Sequence, residues 1–157
     1  MSSKSFGYKS INDIGPSHVC ATAKSNLGDR LIWKGDEYVY VYNAGNSQIS
    51  PGFGTIVTGL SGYSVTVSSV TSVNNCFGVV KNATLTTADY GWVVKNGYVA
   101  LESDADTGIS AGENVVLGTD GVATRLTGAT GYFGNSFGYM MDTTASGGSA
   151  LANVNCF

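Results

Sequence analysis

Glycine stands at 22 of the 157 positions, and its spacing limits the possible folds of this chain more than any other feature. In a helix interior each glycine costs about 1 kcal/mol relative to alanine, and no segment sustains apolar residues at i, i+3 and i+4 over three turns. The chain offers period-two alternation between glycine-marked turns instead. In "YVYVY", Tyr38, Tyr40 and Tyr42 fall on one face and Val39 and Val41 on the other. "GYSVTVSSVTSV" sets Tyr63, Val65 and Val67 against Ser64, Thr66 and Ser68, the pattern of a half-buried antiparallel strand, with a bulge expected near Ser68 and Ser69 where the alternation slips.

The same grammar continues toward the C-terminus. "FGVV" and "YGWVVKNGYVAL" read as two or three successive strands, with Asn96-Gly97 as a type I′ hairpin turn and Trp92 as a core or inter-strand anchor beside it. Val115 to Leu117 read as a short strand, Asp120-Gly121 as a turn, residues 137–143 as a further strand, and Ser146 to Ser149 as the turn before a terminal strand carrying Leu151, Val154 and Phe157. The expected fold is all-β: a compact antiparallel β-barrel or β-sandwich with long glycine-rich loops. An extended N-terminal arm, residues 1–25, precedes a single β-rich domain, residues 26–157, a size that one core can support.

Charge narrows the partners. Only 12% of residues are charged, against 43% hydrophobic, so Ser, Thr, Asn, Gly and Tyr must cover most of the surface. Such a surface is cheap to dehydrate in a broad protein contact. A formal net charge of −3, with the lysines and arginines scattered, argues against direct nucleic-acid binding. The N-terminal stretch lacks the pattern of a signal peptide, and no apolar run is long enough for a membrane-spanning helix. Cys20, Cys76 and Cys156, odd in number and far apart, read as reduced and buried thiols rather than a disulfide framework.

The reactive side chains form no recognisable catalytic set. His18 is the sole histidine; it sits two positions from Cys20, without an acidic partner in the spacing. Asp104 and Asp106 lie in a loop that lacks the later ligands of a calcium site. Glu37, Glu102 and Glu113 show no spacing that places two carboxylates around a glycosidic bond. The runs "GYFGNSFG" and "ASGGSA" have no lysine or helix start with which to hold a phosphate. No metal or cofactor and no enzymatic activity are expected. Two other readings stand beside a structural one: a carbohydrate-binding or host-contact module stacking ligands on Tyr63, Trp92 or Tyr132, and an uncharacterised hydrolase.

The segments "VYNAG...ISPG", "FGVV...YGWVVKNGYV", "AGENVVLGTDG" and "SFGYMMDTTASGGSALANVNCF", in this order over residues 31–157, resemble a capsid decoration (cement) protein of a tailed bacteriophage. The resemblance implies a virion protein made in the host cytoplasm and bound to the outside of the icosahedral head. There it would be a homotrimer that reinforces contacts among major capsid protein subunits. Candidate contacts are the arm residues Phe6, Tyr8, Ile11 and Ile14, the turn Ser50, Pro51, Gly52 and Phe53, and Tyr132 and Phe133 in the later glycine-rich loop. An extended arm would reach more than one subunit, and its aromatic rings would supply compact contact area.

Overall fold

The computed structural model describes residues 15–59, 62–67, 75–106, 108–127 and 135–156. Within these, the strands are β1 (Arg30–Trp33), β2 (Asp36–Asn43), β3 (Gly54–Val57), β4 (Ser64–Thr66), β5 (Gly78–Val80), β6 (Tyr90–Glu102), β7 (Asn114–Leu117), β8 (Ala123–Arg125), β9 (Gly138–Met140) and β10 (Ser149–Asn155), with a 3-10 turn at Thr119–Gly121. They form one ten-stranded sheet in the order β1-β2-β4-β3-β5-β6-β10-β9-β7-β8, and an added β2–β6 pairing brings the order back on itself. The protein is an all-β domain with a mixed, mostly antiparallel sheet. Against the antiparallel expectation, β2 and β4 run parallel, pairing Tyr42 with Ser64 and Asn43 with Val65.

The register reveals an internal duplication. Gly54 pairs with Val79 and Thr55 with Gly78; sixty positions later, Asn114 pairs with Tyr139 and Val115 with Gly138. The turn before each hairpin repeats too. Gly52 N–H donates to the Val80 carbonyl and Val80 N–H to the Phe53 carbonyl, while Gly112 N–H donates to Met140 and Met140 N–H to Glu113. Ile49 bridges Leu85, and Ile109 bridges Thr144. The opening strand of each unit follows the same rule: β2 pairs Val39 with Val93 and Tyr40 with Trp92, and the second half of β6 pairs Val99 with Ala152 and Ala100 with Leu151. One unit thus runs from β2 into the first half of β6, the next from the second half of β6 through β10. The long strand β6 closes one unit and opens the other.

Each unit encloses equivalent apolar side chains, which is why both fold alike. Val39, Val41, Ile49, Val65, Val80, Leu85 and Val93 form one buried cluster. Their counterparts Val99, Leu101, Ile109, Ala123, Met140 and Ala152 sit together in the larger cluster, joined there by Tyr38, Tyr40, Trp92 and Val94. At about 25 cal/mol per Å² of apolar area, burial on both faces of β2 and the first half of β6 makes these strands the centre of the molecule.

Two expectations change here. Asn96-Gly97 is no hairpin: β6 runs straight through it. The strand changes partner at this point, from β2 to β10, with a bulge because Glu37 faces Asn96 while Tyr38 faces Val94. Gly97 has φ +143°, and a methyl group there would overlap the Asp36 carboxylate, so glycine answers a close approach rather than a turn. The strand expected at residues 137–143 is confined to Gly138–Met140. Tyr63, expected on the same strand face as Val65, is exposed and precedes β4. Three particular expectations do agree with the structure. Tyr38 and Tyr40 bury one face of β2 while Val39 and Val41 bury the other, Val65 is buried between half-buried Ser64 and Thr66, and Trp92 is a core residue. The bulge expected near Ser68 and Ser69 lies outside the described residues.

Candidate functional site

Asp36 opens β2 and is buried, an environment that a carboxylate tolerates only when it is paired and hydrogen-bonded. It has three donors. The Lys81 ammonium pairs with Oδ2, Tyr98 N–H donates to Oδ1 at 2.9 Å, and the Tyr38 hydroxyl lies 3.4 Å from Oδ2. Lys81 also donates to the Tyr98 carbonyl, and Asn82 Nδ2 donates to the Tyr38 hydroxyl at 3.1 Å. Burial first, and then the nearby Asp36 charge, raise the Tyr38 pKa above the usual phenol value, against the opposing pull of the Asn82 bond. The network ties the start of the first unit to the start of the second, because Tyr98 holds the position in the second unit that Tyr38 holds in the first.

Above the network lies a groove of about 600 Å³, bounded by Trp33, Lys34, Tyr98 and the turn at Pro16 and Ser17. Trp33 is partly buried against the core and Tyr98 is exposed, so the walls are aromatic and the floor polar. The Asp36 oxygens are already engaged by protein donors. The groove therefore has aromatic faces, the Asn82 amide and the Lys34 ammonium to offer a ligand. Sequence spacing could not find it: Trp33 and Asp36 pair across the short β1–β2 hairpin, but Lys81 and Tyr98 join them only through the β2–β6 and β5–β6 pairings.

A second surface lies on the outer side of β6, β10 and β9. Tyr98 and Tyr139 flank Asn153 across the ladder, and Ala100 faces Leu151. Tyr98, Tyr139, Met141 and Leu151 are among the exposed large apolar side chains.

The residues singled out from sequence are dispersed. Phe6, Tyr8, Ile11, Ile14, Tyr132 and Phe133 lie outside the described residues. Ser50, Pro51, Gly52 and Phe53 form the turn into β3, with Pro51 exposed, Gly52 buried against Ala100 and Glu102, and Phe53 packed on the first unit's interior. Trp92 cannot serve as a stacking platform, since it is 5% exposed and its ring leans on Tyr40 at 5.0 Å. Tyr63 is exposed and meets Phe77 edge-on, while Tyr132 lies outside the described residues. Cys76 and Cys156, 80 positions apart, bring their sulfurs within 3.7 Å as free thiols, while Cys20 is half-buried. Among the described residues no group of three or more His, Cys, Asp and Glu side chains is placed to hold a metal ion.

No protein-family model and no curated protein matches the chain. Among solved structures, the chain is similar to the N base of head fiber gp8.5 in bacteriophage phi29, with a TM-score of 0.54 and 13% identity, covering 75% of this chain and 94% of that one. At that identity the likeness is one of fold: a distant structural similarity to a bacteriophage head fiber protein.

Proposed function

We infer that this chain is a non-enzymatic structural protein of a tailed-phage virion. It binds the outer surface of the head as a capsid decoration protein and reinforces contacts among major capsid protein subunits. The fold likeness to the base of a phage head fiber carries this reading, because it spans nearly the whole of that chain. The low charge of the chain supports it, since a surface of Ser, Thr, Asn and Tyr loses little on dehydration against a protein lattice. Binding to the assembled shell but not to dispersed subunits is thermodynamically a bias toward the intact shell, and it requires no reaction. The test is to mix purified protein with undecorated heads of the matching phage and sediment them. Saturable co-sedimentation is expected; protein left wholly in the supernatant would remove the reading.

The groove favours one second reading, a glycan or host-surface contact, because Trp33 and Tyr98 set aromatic faces beside Asn82 and Lys34. Glycan binding that Trp33→Ala abolishes, in a protein that fails to sediment with heads, would favour it over decoration.

A further inference from the structure

Two thiols from different units meet in the larger core cluster. Cys76 precedes β5 in the first unit and Cys156 follows β10 in the second, so 80 positions of chain separate them. Their sulfurs are nevertheless 3.7 Å apart, and the two residues are 0% and 7% exposed. The Cys156 thiol donates to the Cys76 sulfur, and the Cys76 thiol donates to the Gly78 carbonyl at 3.5 Å. Thiols are weak donors, and the Gly78 carbonyl also accepts from the Thr55 hydroxyl at 2.9 Å. Both thiol protons can therefore leave without orphaning a buried acceptor.

Backbone hydrogen bonds fix this approach from both sides. Cys156 N–H donates to the Lys95 carbonyl and Asn155 N–H to the Phe137 carbonyl, each at 2.7 Å, which holds the end of β10 between β6 and the start of β9. Opposite, Phe77 N–H donates to the Thr55 carbonyl at 2.7 Å, and β5 is paired on both edges, with β3 and β6. A disulfide sets its sulfurs about 2.05 Å apart, so each sulfur has less than about 1 Å to travel, a distance that rotation about χ1 covers. The third cysteine stands apart: Cys20 is half-buried beside Tyr90, with its thiol on the Thr22 carbonyl at 2.8 Å.

We propose that Cys76 and Cys156 are a site of reversible covalent modification, at which a low-molecular-weight disulfide oxidises the two thiols to a buried crosslink that staples the first unit to the second. The step is thiol–disulfide exchange. When the backbone just past β10 opens, Cys156 loses its proton and its thiolate attacks one sulfur of glutathione disulfide. A mixed disulfide forms, and the expelled glutathione thiolate takes up the proton. Cys76 then gives up its proton and attacks the Cys156 sulfur, forming the Cys76–Cys156 bond and expelling the second glutathione, which takes up that proton. Two electrons pass from the cysteines to the glutathione disulfide. The reaction is slow in the closed protein, because the hydrogen bond to Cys76, and then burial, push the Cys156 thiol up against the opposing pull of the Lys95 ammonium. Its product is stabilising, since a bond across 80 positions removes much of the freedom of the unfolded chain.

The experiment takes the full chain with Cys20→Ser, which leaves Cys76 and Cys156 as its cysteines, reduces it, and holds it folded in excess glutathione disulfide. Thiol titration in denaturant, intact mass, a non-reducing peptide map and the melting temperature are followed until they are constant. Both thiols are expected to disappear, with a mass lower by two hydrogen atoms and Cys76 and Cys156 in one linked peptide. The melting temperature is expected to rise by about 10 °C and to return on reduction. Should Cys20→Ser fail to fold, the wild type carries the comparison, because the peptide map identifies the same linked pair whatever becomes of Cys20. Thiols that persist, glutathione adducts at Cys76 or Cys156 in place of the linked peptide, or a crosslink that leaves the melting temperature unchanged would overturn the proposal. The result stands apart from the virion reading, since no head enters the measurement.

Discussion

Gly52 and Gly112 hold the same position in the two units, each with φ near +90° and each donating to the carbonyl of a β5 or β9 residue. Their surroundings differ. A methyl on Gly52 would come 3.0 Å from the Ala100 carbonyl oxygen and 3.1 Å from the Glu102 amide nitrogen, whereas Gly112 has nothing within 4 Å. Gly112→Ala should therefore cost only the left-handed backbone penalty, about 1 kcal/mol, and Gly52→Ala about 2–3 kcal/mol, because backbone must also shift. Denaturant midpoints would check the order; equal losses would contradict it. The cysteines divide in the same way. The hydrogen bond to Cys76, and then burial, push the Cys156 thiol well above the usual range, and both sulfurs are shielded. A thiol reagent applied to the native protein should label Cys20 and spare Cys76 and Cys156 until denaturant is added. Rapid native labelling at all three would contradict the buried pairing.

Among the elements, β6 separates what the sequence revealed from what it concealed. Its first half and β2 were legible because alternating Tyr and Val, or Trp and Val, is the pattern left by burial on a pleated strand. Its passage through Asn96-Gly97 was not, because the local preference for a turn yields there to the Asp36 carboxylate and the change of partner strand. The duplication was hidden for a related reason. The interiors match in character, but the outer face was free to diverge: Tyr40 corresponds to Ala100, Trp92 to Leu151 and Val79 to Tyr139, so the segments look unrelated until register aligns them. The groove shares this fate, being assembled by pairing rather than by spacing. Tyr38 gives β2 a measurable pH signature. With its folded pKa raised, its contribution is fully present below the unfolded phenol value of about 10 and is lost as pH rises from there through the folded value, because the unfolded chain releases the proton first. The melting temperature should fall as pH rises above about 10, and less steeply in Tyr38→Phe. Identical slopes in the two proteins would show that Tyr38 does not carry the effect.

At the scale of the whole molecule, the two units share one strand and one large cluster, and the second unit adds an exposed aromatic face that the first lacks. A β body with a weakly charged surface suits the proposed bridging of neighbours in a lattice, where each contact with assembled subunits would lower the free energy of the assembled state alone. The most direct measurement of the virion role is the temperature at which heads of the matching phage release their DNA, with and without saturating protein. A higher release temperature is expected, rising with occupancy and levelling off when the sites are filled. An unchanged release temperature on heads shown to carry the protein would contradict reinforcement of the shell.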